Sequence, residues 1–172
     1  MKTAPQHSAD LAHVAGLIKD IPIAMLTNIQ GDGNLASRPM AALEMDADGA
    51  IWFFTDLRSE KVEHLRAVGL AFIDGAHGTY VSLSGRGEID TDPGRIERLW
   101  TALARPWFPD GPDAPSLALL KFVPEAADYW DAPHSKMVRG FGVLASVLAG
   151  KPIAMGEQGS HKKLSAVAAA AL

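Results

Sequence analysis

The chain has no cysteine in its 172 residues, which excludes disulfides, thiolate metal sites and a cysteine nucleophile. It also lacks an excess of positive charge. Sixteen Lys and Arg stand against 20 Asp and Glu, a net charge of -4, which argues against a general nucleic-acid surface while leaving room for a small basic pocket. Long apolar runs are missing too. Nothing approaches the roughly 18 apolar residues needed to span a bilayer, and His7, Asp10, His13 and Lys19 interrupt the N-terminal segment where a signal peptide would keep an apolar core. No membrane partner is expected, and a cytoplasmic location is. What is present is a core: 48% hydrophobic residues with 21% charged ones suit one globular domain, expected over residues 1–150, with residues 151–172 as a tail, polar and then alanine-rich.

The spacing of turns and apolar runs predicts a mainly β chain with flanking helices, an α+β fold. Ser8 or Asp10 caps a first helix carrying Leu11, Val14, Leu17 and Ile18, and Pro22 ends it. Residues 21–29 and 34–45 form a hairpin around Gln30-Gly31-Asp32-Gly33, and Asp46-Ala47-Asp48-Gly49 turns the chain into a third strand over 50–55. A short helix is predicted over Lys61 to Val68, then strands over 70–74 and 79–89, with Gly85 and Gly87 marking a bulge that lets the sheet curl into a barrel. Asp92-Pro93 starts a helix whose buried stripe is Ile96, Leu99, Trp100 and Leu103. Four prolines make 105–115 a non-repetitive loop, anchored by Trp107 and Phe108. Leu117 to Val123 and Ala126 to Trp130 read as a last strand or two strands interrupted at Pro124, and Met137 to Ala149 as an apolar helix.

One segment stands out for chemistry. In Ile51 to Lys61, IWFFTDLRSEK, an aromatic strand ends in a turn carrying Thr55, Arg58, Ser59 and Lys61. A flat ring against the strand end and a phosphate at the start of the next helix would make two halves of a nucleotide-like ligand site. Spacing alone equally fits Ser59 as a helix N-cap followed by a solvated Lys61. Arg38, in Ser37-Arg38-Pro39-Met40 on the neighbouring strand, supplies a third anion ligand through its paired donors. Trp52, Phe53 and Phe54 read as core residues, with Phe53 facing away from the other two. Trp107 and Trp130 read as core anchors, stacking surfaces or subunit contacts.

Other candidates are weaker. The histidines at His7, His13, His64, His77, His134 and His161 form no paired metal spacing, so no metal site is expected. Gly85-Arg86-Gly87 matches neither the phosphate-loop nor the dinucleotide pattern. Ser82 and Ser84 with His77 lack the sharp elbow of a nucleophilic serine and read as strand-face residues.

The ordered landmarks Ser37-Arg38-Pro39-Met40, Ile51-Trp52-Phe53-Phe54-Thr55, Ser59-Glu60-Lys61, Val81-Ser82-Leu83-Ser84-Gly85, Trp107-Phe108-Pro109-Asp110-Gly111 and Tyr129-Trp130-Asp131 resemble the FMN-binding split-barrel superfamily. This is the superfamily of pyridoxamine 5'-phosphate oxidase, and the closer resemblance is to its bacterial general stress protein branch. The resemblance spans roughly Ile21 to Trp130. It implies a six-stranded antiparallel split β-barrel with Greek-key connections and a homodimer with flavin sites at the subunit interface. By the same resemblance, Arg38, Ser59 and Lys61 would hold the flavin phosphate, with Arg58 a lesser candidate. The main chain near Pro39, Met40, Phe54 and Thr55 would meet the isoalloxazine, and Trp107 or Trp130 of a partner chain would close the pocket. FMN is the expected cofactor, with FAD or a deazaflavin as alternatives.

One departure matters: the basic residues with which the oxidase holds its own substrate have no counterpart in DAPHSKMVRGFG after Trp130. Pyridoxamine phosphate oxidation is therefore not expected, and no catalytic side chain is assigned. Three functions remain: a flavin-dependent oxidoreductase of unknown substrate, a flavin-binding stress protein without turnover, and a cofactor-free interaction module. A bound flavin carries its own redox chemistry, so the first needs only residues that orient the ring.

Overall fold

A computed structural model of the chain describes residues 1–131 and a two-residue strand at 162 and 163. Helix α1 (Ala9–Ile18) starts where Ser8, in extended backbone, accepts a hydrogen bond on Oγ from the Leu11 amide at 3.1 Å. Its Leu11, Val14, Ala15 and Ile18 are buried in the main core.

The strands are β1 (Lys2–Thr3), β2 (Ile23–Ile29), β3 (Leu35–Met45), β4 (Ile51–Asp56), β5 (Val68–Asp74), β6 (Thr79–Asp90), β7 (Leu117–Asp131) and β8 (Lys162–Lys163). Six of them close on themselves in the order β3-β2-β5-β6-β7-β4, with β4 returning to β3. β2, β3 and β4 follow one another antiparallel, and β5 comes back to lie beside β2, which is the Greek-key order. The fold is the expected split barrel. Gly33 and Gly49 occupy positive φ, 83° and 85°, in the two tight turns that set these hairpins, and only glycine enters that region without strain.

Alternation decides what lies inside. On β2, Ala24, Leu26 and Asn28 are buried while Ile23 and Met25 are exposed. The barrel interior holds Leu26, Met40, Phe53, Leu70, Phe72, Val81, Leu83 and Phe122 among others, each large side chain contributing about 1.5–3 kcal/mol by leaving water. A second cluster covers the outer face of β4 and β7. There Trp52 packs with Ile96, Leu99, Phe108, Leu117 and Leu119, and Phe54 and Trp100 lie against them. Phe53 therefore does face away from Trp52 and Phe54.

The helix expected over Lys61 to Val68 does not form. A single 3-10 turn, Glu60–Glu63, stands in its place, and Ser59 makes no capping bond. The carbonyls needed to continue a helix are engaged elsewhere: His64 O accepts from Asn28 Nδ2 at 3.1 Å and Leu65 O from the Gly87 amide at 2.7 Å. The second helix, α2 (Pro93–Leu99), ends one turn early, because Trp100 adopts extended backbone. Leu103 consequently falls outside the stripe and is exposed.

Strand β7 runs through Pro124 unbroken. Its register with β6 shifts between Ser84–Ala126 and Gly85–Pro124, leaving Glu125 as the extra residue of a bulge. Gly85 is required there: a β-carbon would lie 2.1 Å from Val123 O. β8 pairs with β7 at Ala126 and Ala127. The helix expected over 137–149 and the boundary at 150 lie outside the described residues. No described helix is long and apolar enough to cross a membrane.

Candidate functional site

The site builds from the seam between β3 and β4. Registered pairs between these strands run from Met45–Ile51 only as far as Ala42–Phe53, so the strands part before Met40 and Thr55. Pro39 has no amide hydrogen with which to extend the ladder. Thr55 still pairs with Ala118 of β7 on its other side. The backbone of Pro39, Met40, Phe54 and Thr55 thus lies where the barrel splits.

Arg38 shares the inward face of β3 with Met40 and Ala42, so its side chain sits half-buried on the interior side of the seam. Its Nη1 is buried with no hydrogen-bond partner among the described residues, and the same holds for Oγ1 of buried Thr55 and Oδ1 of buried Asn28. Such groups in a native fold call for an explanation, because each leaves about 1–3 kcal/mol of desolvation uncompensated.

Lys61 comes to Arg38 from the 3-10 turn. Only 7% exposed, it donates from Nζ to Ser59 Oγ at 3.1 Å. Burial, and after it the positive charge of Arg38, hold its ammonium below the ordinary lysine value, while Asp56 pulls the other way. Among the described residues neither Arg38 nor Lys61 forms an ion pair. Two cations are therefore held together on the inside of the split with donors to spare, an arrangement suited to a multiply charged anion such as phosphate. A four-residue 3-10 turn replaces the helix whose start was expected to meet a phosphate, so the free donors here are side-chain groups.

The remaining expected residues divide. Arg58 is exposed and held by Asp56, donating from Nε to Oδ1 at 3.0 Å and from Nη2 to Oδ2 at 2.6 Å. The Arg58 contacts hold the Asp56 carboxyl well below the usual carboxylate range. The ring of Phe54 points to the outer cluster, 5.6 Å from Trp100 and 6.3 Å from Phe108, so only its main chain faces the seam. Trp107 is 75% exposed beside buried Phe108. Trp130 lies on the outer face of β7, in register with Tyr80, which is in register with Ile73. Among the described residues the cations found over an aromatic ring are Arg95 and Lys121, both over Trp52, and neither Arg38 nor Lys61 is one of them.

Gln30 and Glu60 were not among the expected residues. With the Gln30 amide turned so that each end meets a complementary group, its Oε1 accepts from Arg38 Nη2 at 2.9 Å and its Nε2 donates to both Glu60 carboxylate oxygens at 3.1 Å. The place of Gln30 in a turn gave no signal of this role.

Comparison with known proteins agrees with this architecture. Residues 9–153 match the family described as pyridoxamine 5'-phosphate oxidase like, and the chain belongs to that family. Protein bli-3 of Neurospora crassa is 25% identical over 140 residues, covering 74% of this chain and 67% of that protein. A structure from Jannaschia sp. CCS1 named as a general stress protein 26 superposes with a TM-score of 0.72 at 27% identity, covering 91% of this chain and all of that one. The general stress FMN/FAD binding protein of Xanthomonas citri superposes with a TM-score of 0.60 at 32% identity, covering 72% of this chain and 90% of that one.

Proposed function

We propose that this chain binds a flavin, with FMN the first choice and FAD or a deazaflavin as relatives, and that it works as a flavin-dependent oxidoreductase of a small substrate. The observation that carries the reading is the Arg38–Lys61 pair: two cations that form no ion pair among the described residues, with a buried guanidinium nitrogen left without a hydrogen-bond partner there. A phosphate monoester fits these groups, since it accepts several charge-assisted bonds and brings the negative charge they lack. Its hydroxyl contacts would come from Ser59 and Thr55. Arg58 reaches the phosphate only by leaving Asp56.

The isoalloxazine would lie along the split between β3 and β4, against the main chain of Pro39, Met40, Phe54 and Thr55. A bound flavin supplies electron or hydride transfer; the chain supplies the phosphate grip and a fixed ring position. The Xanthomonas citri relative, an FMN/FAD binding protein by name, supports the cofactor class.

A homodimer completes the reading. Ile73, Tyr80 and Trp130 form an exposed row across β5, β6 and β7, with exposed Ile23 and Met25 on neighbouring β2. An apolar patch on an otherwise charged surface marks an association face, and a second subunit there would bring its own aromatic side chains to the pocket.

The test is the absorbance spectrum and mass of what copurifies, followed by NADH and NADPH oxidation by the flavin-loaded protein with a panel of acceptors. A yellow protein that turns over supports the proposal. A yellow protein inert across the panel removes the oxidoreductase half, and a colourless protein that takes up no added flavin removes both.

A further inference from the structure

We infer that Gln30 and Glu60 form a positioning latch for Arg38, setting the guanidinium for a phosphate group while leaving its charge intact. The inference rests on the flavin-phosphate reading of Arg38 and Lys61. Gln30 bridges the two: its amide oxygen takes Arg38 Nη2 at 2.9 Å and its amide nitrogen gives to both oxygens of Glu60 at 3.1 Å.

The base of the latch is rigid. The Gln30 amide donates to Asn34 O at 2.8 Å, Gln30 O accepts from the Gly33 amide at 3.0 Å, and Asp32 ties down Asn34 through both its amide and its side chain. Two further contacts fasten this turn to the segment that carries Lys61. Asn28 Nδ2 donates to His64 O, and Gly31 lies so close to the His64 ring that a β-carbon would come within 3.2 Å of Nε2. The turn after β2 and the 3-10 turn thus hold Arg38 and Lys61 in one fixed relation.

The amide intermediary has a chemical consequence. A carboxylate placed directly on Arg38 would orient the side chain but neutralise it, and an incoming anion would have to displace it. A neutral amide orients without neutralising, and Glu60 in turn fixes which way the amide faces. One edge of the guanidinium is occupied by Gln30, and the buried Nη1 is left to a ligand. Ordering a free arginine on binding costs rotamer freedom, and the latch removes that cost before the ligand arrives.

Parallel fluorescence titrations of FMN and riboflavin separate this role from general stability, because the two ligands differ only in the phosphate. The apo-proteins compared are wild type, Gln30→Ala, Gln30→Glu and Arg38→Ala, with thermal melts to establish that each is folded. Gln30→Ala should weaken FMN by about tenfold, the effect of losing one hydrogen bond to a charged group, and leave riboflavin unchanged. Gln30→Glu should weaken FMN further, since it neutralises Arg38 and repels Glu60. If Arg38→Ala lowers the preference for FMN while both Gln30 variants keep the wild-type preference, the latch is overturned and the phosphate reading stands. If Arg38→Ala also leaves the preference unchanged, the phosphate reading fails and the latch with it.

Discussion

Lys61 lies buried beside Arg38, and its ammonium is held below the ordinary lysine value first by that burial and then by the charge of Arg38. Between the lowered value and the ordinary one, the unfolded chain binds more protons than the folded chain. Ligand-free stability should therefore rise with pH through that alkaline window. Lys61→Met should abolish the rise and raise the ligand-free melting temperature near neutral pH, because it removes a buried charge that forms no ion pair among the described residues. FMN affinity should move the opposite way, falling as pH climbs through the lowered Lys61 value. Melting curves and FMN titrations at stepped pH read both effects.

The Gly85 approach to Val123 O sets a second expectation. Gly85→Ala must move the backbone at the β6–β7 bulge and should destabilise the fold by roughly 1–3 kcal/mol or more. Gly16, within α1, has open space where a β-carbon would stand, with nothing within 4 Å, so Gly16→Ala should stabilise by up to about 1 kcal/mol. Urea unfolding of the two variants should give opposite signs.

Asp46 organises the turn between β3 and β4. It accepts from the Ala50 amide at 2.9 Å and the Asp48 amide at 3.1 Å on one oxygen and from Trp52 Nε1 at 2.7 Å on the other. Arg95 covers the same indole at 4.2 Å. Asp46→Ala leaves the buried indole N–H without its partner and should cost about 1–3 kcal/mol in chemical denaturation, with Asp46→Asn recovering part of it.

The exposed row Ile73–Tyr80–Trp130 gives a test of association. Sedimentation should show a dimer for wild type, and Ile73→Asp should yield a folded monomer, because a carboxylate at the middle of an apolar contact is left unsolvated. A monomeric wild type would contradict the dimer.

Much of this architecture was readable from local pattern. Gly33 and Gly49 announced the hairpins, alternation along Ile51–Asp56 separated Phe53 from Trp52 and Phe54, and the hairpin that follows Arg38 put that residue on the strand beside Thr55. What failed depended on distant partners. The residues after Glu63 have helical spacing, but Asn28 and Gly87 take the carbonyls a helix would need. Pro124 looks like a strand end, yet the bulge opposite Gly85 absorbs it. Gln30 reads as an ordinary turn residue until folding brings Glu60 and Arg38 to its two ends. In the site itself, Lys61 donates to Ser59 and lies within reach of the charge of Arg38, whereas Arg58 is engaged by Asp56, a contact that their two-residue spacing could have suggested.

If Arg38 and Lys61 together grip a flavin phosphate, calorimetric titration of apo-protein with FMN reads that grip without any assumption about turnover. Wild type should bind tightly, and Arg38→Ala and Lys61→Ala should each lose about 1.5–3 kcal/mol of affinity, the worth of a hydrogen bond to a charged group. Two variants that both bind FMN as wild type does would overturn the phosphate grip.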